Sequence, residues 1–242
     1  KIYWTNSTST ILGSKIQRSN LDGSDIEDIP IPSERTLHNV DLKAQTTHNW
    51  SWDIDDKSDR NEESNVFYHT NVIHDYFNSI DVNEIDLQFT ATVSLPDVCN
   101  AYYDSNTINF FPESVTCENT ALLSDVIYHE YAHGVVDEVI TVPFPYWDQT
   151  GNLNEAWADY FATTKNDNSC MAEGFFKTWP ACLRDCKNTN KWPEDYDPEP
   201  HTGAPIICGS LWDLREDLGA NLVDKLAIQA MRLQPTTFSM FL

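Results

Sequence analysis

The chain has 242 residues, 15 Lys+Arg against 38 Asp+Glu, and a formal net charge of −23. That length holds one large domain or two small ones with a real core. So acidic a chain repels polyanions, which argues against nucleic acid and anionic membrane surfaces as partners, and no stretch approaches the roughly 18 apolar residues of a membrane span. Apolar residues make up 40% and aromatic residues 12%, the composition of a globular rather than a disordered chain. The chain begins at Lys1 without a signal peptide, and Thr236 to Leu242 reads like the opening of a further apolar segment. A removed leader or a fragment is therefore expected, incomplete at both ends.

Taken in order, Lys1 to Thr5 and Ile11 to Ser19 favour strands, the turn Asn20-Leu21-Asp22-Gly23-Ser24 follows, and Ile26 to Ile29 reads as a third strand. Strand, strand, Asp-Gly turn, strand is the pattern of a small antiparallel meander. The stretch resembles one repeat of the YWTD β-propellers of the low-density lipoprotein receptor family, with Asn6 where the repeat usually has Asp. Propellers need about four to eight blades, and no second copy is present. The last blade of a longer array or an isolated borrowed segment is expected, with no function of its own.

Pro30-Ile31-Pro32-Ser33 reads as a linker, and residues 53–64 as a solvated polar loop. Apolar residues at Val66, Phe67, Ile73 and Phe77 recur at helical spacing. Leu87 to Val93 alternates like a strand, and residues 100–111 read as a hairpin. Helices are expected over about 124–138, 152–164, 204–218 and 221–233. Strands first and helices afterwards predict an α+β fold. The expected divisions are 1–32, a β repeat and linker; 33–140, an α+β part; and 141–242, a helical part.

The six cysteines, Cys99, Cys117, Cys170, Cys182, Cys186 and Cys208, contain no C-x-x-C pair, which argues against a thiolate zinc knuckle. An even count in a lysine-poor acidic chain points to disulfides and a secreted, extracellular protein. Sequence leaves the connectivity open, with Cys99–Cys117 the most local pair because it brackets the hairpin.

His129-Glu130-Tyr131-Ala132-His133 is an HExxH pattern. Ser124 or Asp125 would cap a helix there, and two histidines four apart emerge on one face, one above the other. Two neutral imidazoles can then reach one ion at about 2.0–2.1 Å. Glu130, one residue round the helix, stands beside the ion, where it can hold a water. A catalytic zinc needs a third protein ligand. Glu155, in Asn154-Glu155-Ala156-Trp157-Ala158-Asp159, lies far enough along the chain for a loop and a second helix. Asp159, one turn further, is placed to accept a hydrogen from a ligand histidine and fix its tautomer.

HEYAH followed by NEAWAD resembles the thermolysin and fungalysin branch of the zinc metallopeptidases, over roughly residues 66–242. The resemblance implies an α+β thermolysin-like fold, β-rich before and helical after an active-site helix. It implies one catalytic Zn2+ on His129, His133 and Glu155, with Glu130 as general base. It implies that the Asn100 side chain and the Ala101 carbonyl hold the substrate backbone on an edge strand. Tyr146 and His201 correspond to the family's oxyanion donors, and Arg184, after Leu183, to an arginine that meets a substrate carbonyl and a carboxylate behind the ligands. Asp125 sits where some members hold Ca2+, so a structural calcium stands beside its reading as a helix cap. Tyr146 has a bland alternative as a packed aromatic in a Pro-rich loop.

These parts predict a secreted zinc endopeptidase, acting as a monomer on polypeptide substrates. Val126, three residues before His129, and Leu183 predict an apolar pocket for the residue after the cut, against a plain core role for both. An aminopeptidase lacks support, since no Gly-x-Met-x-Asn pattern is present to grip a free N-terminus. The reading from another class is a non-catalytic peptidase-like binding domain of a propeller-bearing extracellular protein.

Overall fold

The computed structural model describes residues 2–6, 15–19, 27–29, 60–80, 89–178 and 180–241. The Asp22-Gly23 turn, the proline linker, most of the polar run before residue 60, and Leu87 lie outside them. The chain divides into two compact units, Lys1–Asp41 with His48–Ile54, and Leu42–Thr47 with Asp55–Leu242.

In the first unit, β1 (Ile2–Asn6), β2 (Lys15–Ser19) and β3 (Glu27–Ile29) pair antiparallel in chain order, a meander. Ile2 stands opposite Ser19, and Ile16 opposite Ile29.

The second unit is an α+β assembly. Helix α1 (Arg60–Ser79) starts inside the run expected to be a loop. Asn65 donates to the Ala121 carbonyl at 2.8 Å and Asn119 donates to Glu62 at 2.9 Å, so polar residues of the first turns are used to anchor the helix. A three-stranded sheet follows, of β4 (Thr90–Thr92), β5 (Ala101–Asp104) and β6 (Thr107–Phe110). Its order is β4-β6-β5, with β4 parallel and β5 antiparallel to β6, which leaves β5 on the edge.

Helix α2 (Ser124–Val139) is buried continuously from Asp125 to Val136. A helix covered on all sides must be apolar or have partners for its polar groups. Its start is fixed by Asp125, whose Oδ2 accepts the Ala172 N–H at 2.7 Å; the N-cap residue is Leu123, not Ser124 or Asp125. At its other end Gln234 donates to the Val139 carbonyl and accepts from Thr141 N–H, satisfying groups that a helix end leaves open. Gly134 follows His133, and a Cβ there would stand 2.2 Å from the Phe89 ring. Only glycine lets that ring lie against the helix.

Helix α3 (Asp148–Asn166) packs against both α2 and α4 (Pro200–Leu218). Phe77 of α1 stacks on Tyr131 of α2 at 5.9 Å and meets Phe161 of α3 edge-on at 5.0 Å, so three helices share one aromatic core. Strands β7 (Cys170–Met171) and β8 (Arg184–Asp185) form a small ladder, and α5 (Ala220–Arg232) and α6 (Phe238–Phe241) close the chain. The cysteines join as Cys99–Cys117, Cys170–Cys182 and Cys186–Cys208. Among the described residues no helix is long and apolar enough to cross a membrane.

Candidate metal centre

Helix α2 presents His129 and His133 on the face towards α3, and α3 presents Asn154, Glu155 and Asp159 back at them. One ligand atom each from His129, His133 and Glu155 lies within 4.8 Å of the others, and among the described residues this is the one such group. The two Nε2 atoms are 3.0 Å apart. Glu155 Oε2 is 3.3 Å from His129 Nε2, and Oε1 is 3.5 Å from His133 Nε2.

The outer nitrogens decide what this cluster needs. His129 Nδ1 faces Asp159 Oδ1 at 2.9 Å, and His133 Nδ1 faces Asn154 Oδ1 at 2.6 Å. A proton on each Nδ1, held by Asn154 Oδ1 at His133 and drawn by the Asp159 carboxylate at His129, leaves Nε2 with a lone pair. Two lone pairs cannot face each other at 3.0 Å without a cation between them, either a proton or a metal ion. Burial opposes charge on both rings; Glu155 and Asp159 outweigh it at His129, lifting it to about 10, whereas His133 falls to about 4. Burial also opposes charge on Glu155, but His133, His129 and Arg184 hold its carboxyl far below the usual range. Its Oε2 is buried without a hydrogen-bond partner. Donors about 3.3 Å apart are what a tetrahedral ion with about 2.0–2.1 Å bonds asks for. The separations here are 3.0, 3.3 and 3.5 Å, so the residues fit a divalent ion of the zinc type.

Glu130 lies beside this group, and burial pushes its carboxyl up to about 7 despite the opposing pull of His129. The backbone N–H of Tyr103, on the β5 edge strand, also reaches it. Arg184 grips Asp159 with Nε and Nη2 at 2.5 and 2.7 Å and stands 3.6 Å from Glu155 Oε2. Burial opposes the Asp159 charge too, and Arg184 outweighs it, holding the carboxyl down to about 2.

One side of the group is open. Glu155 is 1% exposed, whereas Tyr146 and His201 are 50% and 48% exposed. The Tyr146 hydroxyl donates to Glu155 Oε1 and stands 3.4 Å from His201 Nε2. His201 lies in the first turn of α4 rather than ahead of it. Glu199 caps that helix, accepting from Thr202 N–H at 2.7 Å, and faces His201 Nδ1 at 2.9 Å.

The structure therefore brings together His129, Glu130, His133, Glu155, Asp159, Tyr146, Arg184 and His201. Asn100 and Ala101 stand where the edge strand β5 begins, and Thr120 donates to the Asn100 carbonyl at 2.9 Å. Val126 is 6% exposed within the core, and Leu183 is 37% exposed beside Arg184. Asp125 has both oxygens on backbone N–H groups, of Val126 and Ala172, and Asp167 pairs with Arg215. Sequence reasoning missed Asn154 and Glu199. Asn154 directly precedes Glu155, and asking what holds the second imidazole would have pointed to it.

The fold is of the thermolysin-like α+β class. It is similar to that of the precursor of protealysin, a metalloproteinase from Serratia proteamaculans. The TM-score is 0.69 and the identity 14%, over 82% of this chain and 76% of that chain. No protein-family model matches the sequence, and no curated protein matches it.

Proposed function

We propose that this chain is a zinc-dependent endopeptidase that acts on extracellular polypeptides. The observation that carries the reading is the buried His129–His133–Glu155 group, whose facing nitrogens need a cation, with Glu130 beside it. Three disulfides and the metalloproteinase named for the similar fold support it.

When bound, zinc would polarise a water and the scissile carbonyl. The chain's residues do the rest. Glu130 takes the proton of the attacking water and passes it to the leaving amine; a carboxyl raised by burial suits both transfers. Tyr146 and His201, on the open side, donate to the carbonyl oxygen as its charge grows. Glu199 steadies the His201 ring from its Nδ1 side. Asp159 and Asn154 hold the two imidazoles with Nε2 inward. An extended peptide adds to the outer edge of β5, where the Asn100 side chain and Ala101 backbone grip it; main-chain pairing of this kind asks little of the substrate's sequence. Val126 and Leu183 bound the pocket for the residue after the cut.

Casein hydrolysis with and without a zinc chelator tests the reading. Cleavage that the chelator abolishes and added zinc restores is expected. Metal binding with no cleavage of any extended substrate would leave a peptide-binding domain in its place.

A further inference from the structure

We infer that the two disulfides flanking Arg184, Cys170–Cys182 and Cys186–Cys208, are positioning residues for the metal centre: they hold Arg184 against Asp159 and so set the affinity for the ion. The inference rests on the zinc reading for the identity of that ion.

Arg184 is the one Lys or Arg among the described residues within ion-pair distance of Glu155 or Asp159. Its Nη2 shares Asp159 Oδ1 with His129 Nδ1, at 2.7 and 2.9 Å. Arg184 thus turns the carboxylate towards the histidine as well as neutralising it. A buried carboxylate that lost this partner would keep its charge uncompensated, and His129 would lose the fixed acceptor that keeps its Nε2 inward.

Secondary structure alone holds Arg184 weakly. It sits in β8, a strand of two residues paired with the two of β7 and flanked by single backbone bonds, Leu183 N–H to the Met171 carbonyl and Cys186 N–H to the Ser169 carbonyl. Isolated two-stranded ladders are marginal even when longer. The covalent pattern supplies what the ladder lacks. Cys182 lies two residues before Arg184 and is bonded to Cys170, in the partner strand itself. Cys186 lies two residues after Arg184 and is bonded to Cys208, in the middle of α4. Cys186 and Cys208 are 2% and 1% exposed, so this bond is packed into the core. Just beyond it Asn188 donates to the Pro205 carbonyl at 3.0 Å, and a Cβ on Gly209 would come within 2.9 Å of the same amide. The segment is therefore clamped on both sides of the arginine, and one clamp reaches the helix that carries His201. The third disulfide, Cys99–Cys117, has neither cysteine in this segment; Cys117 meets it only through backbone pairing with Phe176, in the loop that Cys170–Cys182 closes.

A general staple and a positioning device make different forecasts. Zinc affinity is measured by competition with a chromophoric chelator for four proteins: wild type, Cys186→Ala/Cys208→Ala, Arg184→Met, and the combination. Loss of a group that orients a metal ligand typically costs about 10–100-fold in affinity. Both separate variants should show a loss in that range, and the combination should bind no more weakly than Arg184→Met alone. Cys99→Ala/Cys117→Ala should bind as wild type does. Cys170→Ala/Cys182→Ala removes the other clamp and carries the same comparison if the first pair folds poorly. Unchanged affinity in the disulfide variants, or losses that multiply in the combination, would overturn the inference while leaving the zinc reading standing. Failure of the wild-type protein to bind zinc would overturn both.

Discussion

The Nε2 atoms of His129 and His133 stand 3.0 Å apart, with each Nδ1 turned to an acceptor of its own. The acceptors differ. Asp159 is charged and bonded to Arg184; Asn154 is neutral. The geometry thus makes Asn154 the neutral prop for the second imidazole.

Asn154→Ala should keep the fold and weaken zinc binding by about 10–100-fold, because His133 loses the acceptor that fixes its tautomer. Chelator competition reads this directly. Wild-type affinity in the variant would show that packing alone orients His133.

Tyr146 and His201, as proposed donors to the carbonyl oxygen, should act on the transition state. His201→Ala and Tyr146→Phe should each lower kcat by about 10²–10³ while changing KM little. Steady-state kinetics on a peptide substrate separate the two parameters. A change confined to KM would place either residue in substrate binding instead.

Much of this site was legible in the sequence because its parts are local. HExxH is a property of one helix face, and Glu155 with Asp159 of another. The four long C-terminal helices were expected within a few residues of their ends for the same reason: their periodicity is unbroken. What escaped depended on partners distant in the chain. Residues 60–64 look like loop because they are polar, and the partner that uses one of them, Asn119 donating to Glu62, lies far along the chain. The start of α2 is set by the Ala172 N–H, which no local cap rule contains. Helix α4 begins early because Glu199 caps it, and this draws His201 into its first turn. Of the disulfides, only Cys99–Cys117 spans a recognisable hairpin; the other two follow the placement of β8 beside β7 and α4.

Acid should remove the Glu199 contribution. Partial burial opposes its charge, but hydrogen bonds from His201 and Thr202 hold its carboxyl down to about 2, against an ordinary 4.5. A lowered carboxylate pKa stabilises the folded state fully above the unfolded value, and the effect is lost as pH falls through the folded one. The gap in melting temperature between wild type and Glu199→Gln should therefore narrow as pH drops from about 4.5 towards 2. A gap that stays constant across that window would mean the cap works equally well uncharged.

Under the proposed function, in which the exposed Leu183 and the buried Val126 bound the pocket, cleavage should fall on the N-terminal side of bulky apolar residues. A methylene in such a pocket is worth about 1–3 kcal/mol, so Leu, Ile and Phe should be preferred by degrees. A peptide-library digest read by mass spectrometry measures this. Cut sites followed mainly by Lys, Asp or Gly would assign both residues to the core alone.

In the proposed function Glu130 moves a proton beside an ion held by His129, His133 and Glu155. Its most direct test is zinc content and peptidase activity measured together on wild type, Glu130→Gln and Glu155→Ala. The amide keeps the shape of Glu130 and removes the base, so Glu130→Gln should retain one zinc per chain and lose activity by a factor of at least about 10². Glu155→Ala should lose the zinc as well. Full zinc in Glu155→Ala, or activity in Glu130→Gln within about tenfold of wild type, would contradict the account.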